Sequence, residues 1–258
     1  MTAAAASPPR FALHGFTGRA DAWDHITDGG GATTTGLSLI GHAPGLPVPP
    51  GWTFEREVDR IAALLPADPI HLAGYSMGGR VALAVAARFP ARVSRLTIVS
   101  AHPGLDEARA AARRSADQRW CSLLEDGGIA AFAAAWEDQP MWRSQLALPA
   151  EVLEQQRRAR LSHDPIQLAA AVRALGLGAM PDLRPRLAGL PMAVDWAAGS
   201  LDETYAELAR WAAAEIPRGR AIIIPDAGHN LLLERPDQLS RALDGARGEP
   251  GFGSRGER

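Results

Sequence analysis

Two apolar runs with a glycine-rich break between them dominate the hydrophobic pattern of this chain. Ile70-His71-Leu72-Ala73 is a short, mostly apolar run, and residues 81–87 form a longer, alanine-rich one. Gly74-Tyr75-Ser76-Met77-Gly78-Gly79 lies between them. Such an order predicts a buried strand, a sharp turn and a buried helix. Further strands are expected at residues 11–13, 37–40, 93–100, 192–198 and 221–224. A helix is expected to open at Ala22-Trp23. Residues 54–65 carry Val58, Ile61, Ala62 and Leu65 at helical spacing, with Thr53 as N-cap and Arg56 where a capping box would have Glu. Helices are also expected near 204–214 and 236–243, with a short one near 183–187. Strands alternating with helices predict an α/β fold with a mostly parallel central sheet and helices on both faces.

The alternation stops between residues 105 and 180. That stretch is helical in pattern, with helices expected near 107–125, 129–137, 150–161 and 165–175. It reads as a helical cap inserted in a core formed by residues 1–104 and 181–244. Residues 1–9 are expected to form a disordered leader, 29–35 a flexible loop, 44–50 a proline-rich loop and 245–258 a disordered tail.

With 258 residues, 47% of them hydrophobic, the chain can bury a sizeable core in one domain with an insertion. A net charge of −2 gives no electrostatic case for nucleic acid or an anionic membrane surface. Cys121 is the sole cysteine, which rules out an internal disulfide and fits a reducing compartment, hence the cytoplasm. Its apolar neighbours suggest a core or cap position. No secretory signal pattern opens the chain, and no apolar run approaches a transmembrane length.

The chemistry centres on Ser76. Gly74-Tyr75-Ser76-Met77-Gly78 is a G-x-S-x-G pentapeptide, which this composition would produce by chance about once in eight to ten such chains. The strand before it and the helix after it are what make it a nucleophile elbow, with the serine at the apex of a turn too tight for flanking side chains. His14-Gly15-Phe16-Thr17-Gly18 follows the first strand, where the Phe16 N–H would join that of Met77 in an oxyanion hole; an ordinary glycine-containing turn is the alternative. A serine needs a histidine to take its proton and an acid to orient that histidine. His229, in Ala227-Gly228-His229-Asn230, follows a late strand; His14, His25, His42 and His71 precede the serine, and His102 and His163 lie at or in the cap. Asp202, just past a strand, is the favoured acid, with Asp106 and Asp226 as competitors. Arg80 shares a helix face with Ser76. A cation early in a buried helix opposes the dipole and is costly to desolvate unless an anion meets it, so Arg80 reads either as a substrate-carboxylate site or as half of an internal ion pair with a cap acid. Cap arginines include Arg113, Arg114 and Arg160; one or two reaching the cleft would complete a polyanion site.

Nearly the whole chain resembles the α/β-hydrolase superfamily. Within it the chain is similar to the 2-succinyl-6-hydroxy-2,4-cyclohexadiene-1-carboxylate synthases of menaquinone biosynthesis. Carrying the resemblance are Leu13-His14-Gly15-Phe16-Thr17-Gly18, Gly74-Tyr75-Ser76-Met77-Gly78-Gly79-Arg80, Ser100-Ala101-His102-Pro103-Gly104-Leu105, Trp136-Glu137-Asp138-Gln139-Pro140 and Ala227-Gly228-His229-Asn230. The resemblance implies a lyase reaction on a hydrolase scaffold, with no cofactor and no metal. Ser76 would act as base, His229 as its partner and Asp202 as orienter. Pyruvate would leave 2-succinyl-5-enolpyruvyl-6-hydroxy-3-cyclohexene-1-carboxylate. Arg80, Tyr75, Trp136, Arg160 and one of Arg113 and Arg114 would line the substrate pocket. The expected partner is a small anionic molecule, and the chain is expected to be a monomer or a weak homo-oligomer. Two departures stand out. The chain before His14 is short for the superfamily's usual antiparallel edge strands, and Gly41-His42-Ala43-Pro44-Gly45 replaces the commoner D-x-P-G-H-G loop. They leave open a hydrolase of an ester, lactone or carbon–carbon bond in a carboxylated molecule, and a non-catalytic binding protein.

Overall fold

The structure is a computed structural model that describes residues 8–26 and 34–245. Most of the expected leader, residues 29–33 of the expected loop and the tail from 246 on lie outside the described residues.

Six strands pair in the order β2-β1-β3-β4-β5-β6, and every pairing is parallel. They are β1 Arg10–Leu13, β2 Thr34–Leu37, β3 Ile70–Tyr75, β4 Val93–Val99, β5 Ala193–Gly199 and β6 Gly219–Ile224. The helices are α1 Phe54–Leu64, α2 Met77–Arg88, α3 Glu107–Glu137, α4 Ala150–Leu161, α5 Pro165–Leu175, α6 Glu203–Glu215, α7 Leu231–Glu234 and α8 Pro236–Gly245. β3 is buried along its whole length, as expected of a strand covered on both faces, and its apolar run lacks the alternation of a half-exposed strand. Leu72, Leu96, Ile98 and Trp196 pack with α1, α2 and α6, while Ala73, Val99, Ala197 and Ile222 pack on the other face with Trp23 and α8.

The chain runs from β1 outward to β2, then returns to β3 on the other side of β1. That reversal makes the β1/β3 boundary a topological switch point, where open α/β sheets form a crevice beyond their strand ends. Ser76 lies at the end of β3 and His14-Gly15-Phe16 at the end of β1, so the fold delivers both motifs to one crevice.

Most expected elements form within a residue or two of their predicted bounds. The two helices expected near 107–125 and 129–137 are joined as α3 and separated by a kink at Gly128, whose φ of 74° takes the backbone out of the right-handed helical region. The helix expected at Ala22-Trp23 is a single 3-10 turn, Ala20–Trp23, and the one near 183–187 is a 3-10 segment, Arg184–Gly189. β2 is a correction: it spans Thr34–Leu37, not 37–40. The amides of Leu39 and Ile40 have other acceptors. Leu39 N–H donates to His14 Nε2 (3.1 Å) and Ile40 N–H to Glu57 Oε1 (3.0 Å), so these residues leave the ladder and tie the crevice loop down instead. No helix among the described residues is long and apolar enough to cross a membrane.

Candidate active site

Ser76 sits between β3 and α2 with φ 50° and ψ −110°, a backbone conformation that costs an L-residue of order 1–3 kcal/mol and persists only where its surroundings over-determine it. The surroundings do so here. Ser76 N–H donates to Val99 O of the neighbouring strand (2.9 Å). A Cβ on Gly74 would lie 2.4 Å from Gly78 O, so the strand and the first helical turn touch backbone to backbone.

His229 is buried and makes both contacts a serine nucleophile requires. Its Nδ1–H donates to Asp202 Oδ2 (2.7 Å), and its Nε2 accepts from Ser76 Oγ–H (3.1 Å). Asp202 occupies the N-cap position of α6, yet its side chain caps no amide there. It faces His229 instead. The competing acids have different partners: Asp106 caps α3 by accepting from Arg109 N–H, and Asp226 is an exposed turn residue with φ 53°. Three residues, then, far apart in sequence and in the chain order Ser, Asp, His, meet in the geometry of an acyl-transfer triad. Phe16 and Met77 stand beside Ser76 in the same cavity, and among the described residues neither backbone N–H is used in a hydrogen bond.

That cavity holds about 300 Å³ and lies between the strand ends and α3, α5 and the segment Pro140–Ala147. Arg80 is in its wall, 6% exposed. Its Nη2 donates to Leu175 O (3.0 Å), one of the free carbonyls at the C-terminus of α5. The internal ion pair with a cap acid is not formed. Burial above all, with Arg113 nearby, brings the guanidinium down to about 10, against the opposing pull of Tyr205 and Asp117. Arg113 reaches the cavity, but its Nε donates to Asp117 Oδ1 (2.8 Å), so it arrives half neutralised.

Tyr75 and Trp136 line the cavity as expected. Burial first, and Glu234 and Asp202 after it, push the Tyr75 hydroxyl well up, so it stays a neutral donor. Arg114 and Arg160 do not line it. Neighbouring residues on a helix point about 100° apart, so Arg113 and Arg114 cannot both face inward; Arg114 donates to Gly178 O and Glu107 instead. Arg160 is buried behind the wall, its Nη1 on Glu137 (2.5 Å) and its Nε on Thr17 Oγ1 (3.3 Å). It supports the Phe16 loop and is not open to ligand.

Sequence reasoning missed Tyr205, Trp142 and Asp117. Tyr205 packs edge-on to the His229 ring at 4.7 Å, and Trp142 does so at 5.7 Å. Tyr205 lies three residues after Asp202, a spacing that puts it on the same helix face, and that was a readable signal. Asp117 lies four residues after Arg113 on α3, an ion-pair spacing that was likewise readable, while Trp142 owes its place to tertiary packing.

The sequence profile of the alpha/beta hydrolase family matches residues 11–242. A 2-succinyl-6-hydroxy-2,4-cyclohexadiene-1-carboxylate synthase from Salmonella newport (strain SL254) is 31% identical over 92% of this chain and 94% of its own. MenH from S. aureus superposes with a TM-score of 0.85, at 31% identity over 93% of each chain. A thermophilic esterase from Thermogutta terrifontis superposes with a TM-score of 0.81, at 25% identity over 93% of this chain and 89% of its own. Family profile, relatives and strand-end crevice agree, and the chain belongs to the alpha/beta hydrolase family.

Proposed function

We propose that this protein is a 2-succinyl-6-hydroxy-2,4-cyclohexadiene-1-carboxylate synthase, a lyase of menaquinone biosynthesis acting in the cytoplasm. The carrying observation is Arg80, a buried cation in the cavity wall without a carboxylate partner, one turn into the helix that Ser76 precedes. A plain ester hydrolase gains nothing from that desolvated charge, whereas a carboxylated substrate compensates it. The synthase relatives cover nearly the whole chain and support the same reading.

In this reading His229 draws the proton from Ser76 Oγ, and Asp202 holds the imidazole in the tautomer that can accept it. The serine oxygen then removes a proton from the substrate. The electron pair expels the enolpyruvyl group as the enolate of pyruvate, the proton held on His229 completes pyruvate and restores the neutral imidazole, and a cyclohexadiene remains. The Phe16 and Met77 amides donate to the oxyanion that develops at the substrate carbonyl. Arg80 holds a substrate carboxylate. Residues 105–180 act as a cap that supplies Arg113 and Trp136 and keeps water from competing.

Turnover of 2-succinyl-5-enolpyruvyl-6-hydroxy-3-cyclohexene-1-carboxylate, followed by pyruvate release, tests this. Ser76→Ala should lower the rate by at least about 10³-fold. Arg80→Ala should cost about 10²-fold in kcat/KM, as expected for a lost charge-assisted contact. The same triad can also form an acyl-enzyme, and an esterase is among the similar structures. No pyruvate release, together with cleavage of aryl esters, would overturn the lyase reading in favour of a hydrolase.

A further inference from the structure

His229 sits on a loop, and a loop holds a side chain only as well as its backbone is held. One buried carboxylate binds that backbone on both sides of the histidine. Glu234 Oε2 accepts from Gly228 N–H (2.6 Å) and Oε1 from Asn230 N–H (3.1 Å). Glu234 is 5% exposed and ends the single turn α7. That turn is anchored by Leu231 and Leu232, both in the core cluster on the α8 face of the sheet. A third contact closes the loop from above: a Cβ on Gly228 would lie 2.0 Å from Ser144 Oγ, so residue 228 is pressed against the segment Pro140–Ala147.

We infer that Glu234 is a positioning residue, its two carboxylate oxygens fixing the backbone on either side of His229 so that Nε2 stays on Ser76 and Nδ1 on Asp202. The inference rests on Ser76 and His229 being the reacting pair of the proposed function, and is independent of which substrate they serve. Only a carboxylate fits the role. It offers two acceptor oxygens to two N–H donors, whereas a glutamine must turn its NH₂ toward one of them, losing a bond and setting donor against donor. A buried anion is costly, and its retention beneath the catalytic loop of a folded chain needs a return of this kind.

Phosphorylation of Ser76 by diisopropyl fluorophosphate reads the pair without the natural substrate. Ser76 Oγ attacks phosphorus, fluoride leaves as the P–F bond breaks, and the serine proton passes to His229 Nε2. Rates are measured at 20 °C on protein shown by circular dichroism to be fully folded, so a loss of stability alone does not register. Glu234→Gln should slow labelling about ten- to hundredfold, the scale of a small misplacement of reacting groups. Glu234→Asp keeps the charge but is one methylene too short to reach both amides, and should slow labelling as well. Folded Glu234→Gln reacting within twofold of the unaltered protein overturns the inference, and if that variant does not fold, Glu234→Asp at the unaltered rate does so. An unaltered protein that labels rapidly, is slowed by both substitutions and releases no pyruvate would sink the synthase reading and leave the role of Glu234 standing.

Discussion

Gly78 carries a hydrogen where an alanine methyl would lie 2.4 Å from His14 O and 2.6 Å from Leu13 O. Those atoms are backbone at the end of β1 and cannot swing aside as a side chain can. Gly78→Ala must therefore push α2 off the sheet at the point where Ser76 is held. We expect a loss of stability of about 2–3 kcal/mol, the scale of overpacking a dense core, with activity falling further than stability. Urea denaturation and the turnover assay check the two separately, and an alanine variant of unaltered stability would contradict the packing seen here. Charge is divided just as locally. Arg80 faces the cavity with a carbonyl for a partner, while Arg113 and Arg160 come with their own acids, Asp117 and Glu137. Of the arginines named from sequence, this leaves Arg80 as the buried cation whose charge is still to be met.

Three helices have an aspartate at the N-cap, and Asp202 does different work from Asp106 and Asp164. Asp164 caps α5: its Oδ1 accepts from Ile166 N–H (2.8 Å) and Gln167 N–H (3.2 Å). Asp202 stands at the same position of α6 and gives its carboxylate to His229 instead. Asp164→Ala should then cost about 1 kcal/mol of stability, as a lost N-cap does, with catalysis unchanged; matching denaturant midpoints for the two proteins would refute it. At this scale the sequence was most legible. Apolar runs marked β3, β4 and β5 because these strands are largely buried on both faces, and the break between the helices expected near 107–125 and 129–137 falls where α3 kinks at Gly128. The triad was legible because its members fall at strand ends in a fixed order. β2 was misplaced because Leu39 and Ile40 are as apolar as a strand, and only the fold shows that His14 and Glu57 take their amides. The facing of Arg114 and Arg160 was illegible for the same reason, since Gly178 O and Glu137 are distant in sequence, whereas Arg113 pairs with Asp117 four residues on, a spacing the sequence does show.

Across the whole molecule, three segments meet behind the Phe16 loop, and each brings a histidine. His14 comes from the end of β1, His42 from the loop after β2 and His163 from the turn between α4 and α5; adjacent rings lie 5.0 and 5.7 Å apart. His14 Nδ1–H donates to Gly15 O (2.7 Å), and His163 Nε2–H donates to Thr17 O (3.1 Å), so the helical segment and the sheet grip the loop that carries the Phe16 amide. Burial is the first cause holding all three low: His14 at about 4, His42 well below its ordinary 6.5 and His163 below it too, against the smaller upward pull of backbone carbonyls. The sign follows from proton counting. In the unfolded chain these rings take up protons near pH 6.5, while in the folded chain His14 does so only near 4. Between those values the unfolded state binds more protons, so stability is complete above pH 6.5 and is lost as pH falls toward 4. His14 alone accounts for a loss on the order of 3 kcal/mol across that window. Urea midpoints at pH 7.5, 6.0 and 5.0 should decline in step, and His42→Phe, which keeps an aromatic ring against Phe16 but cannot take a proton, should flatten the decline. A stability that stays level from pH 7.5 to 5.0 would mean that these rings are charged or solvated in the folded protein, and the packing behind the Phe16 loop would then have to be looser than the contacts described above.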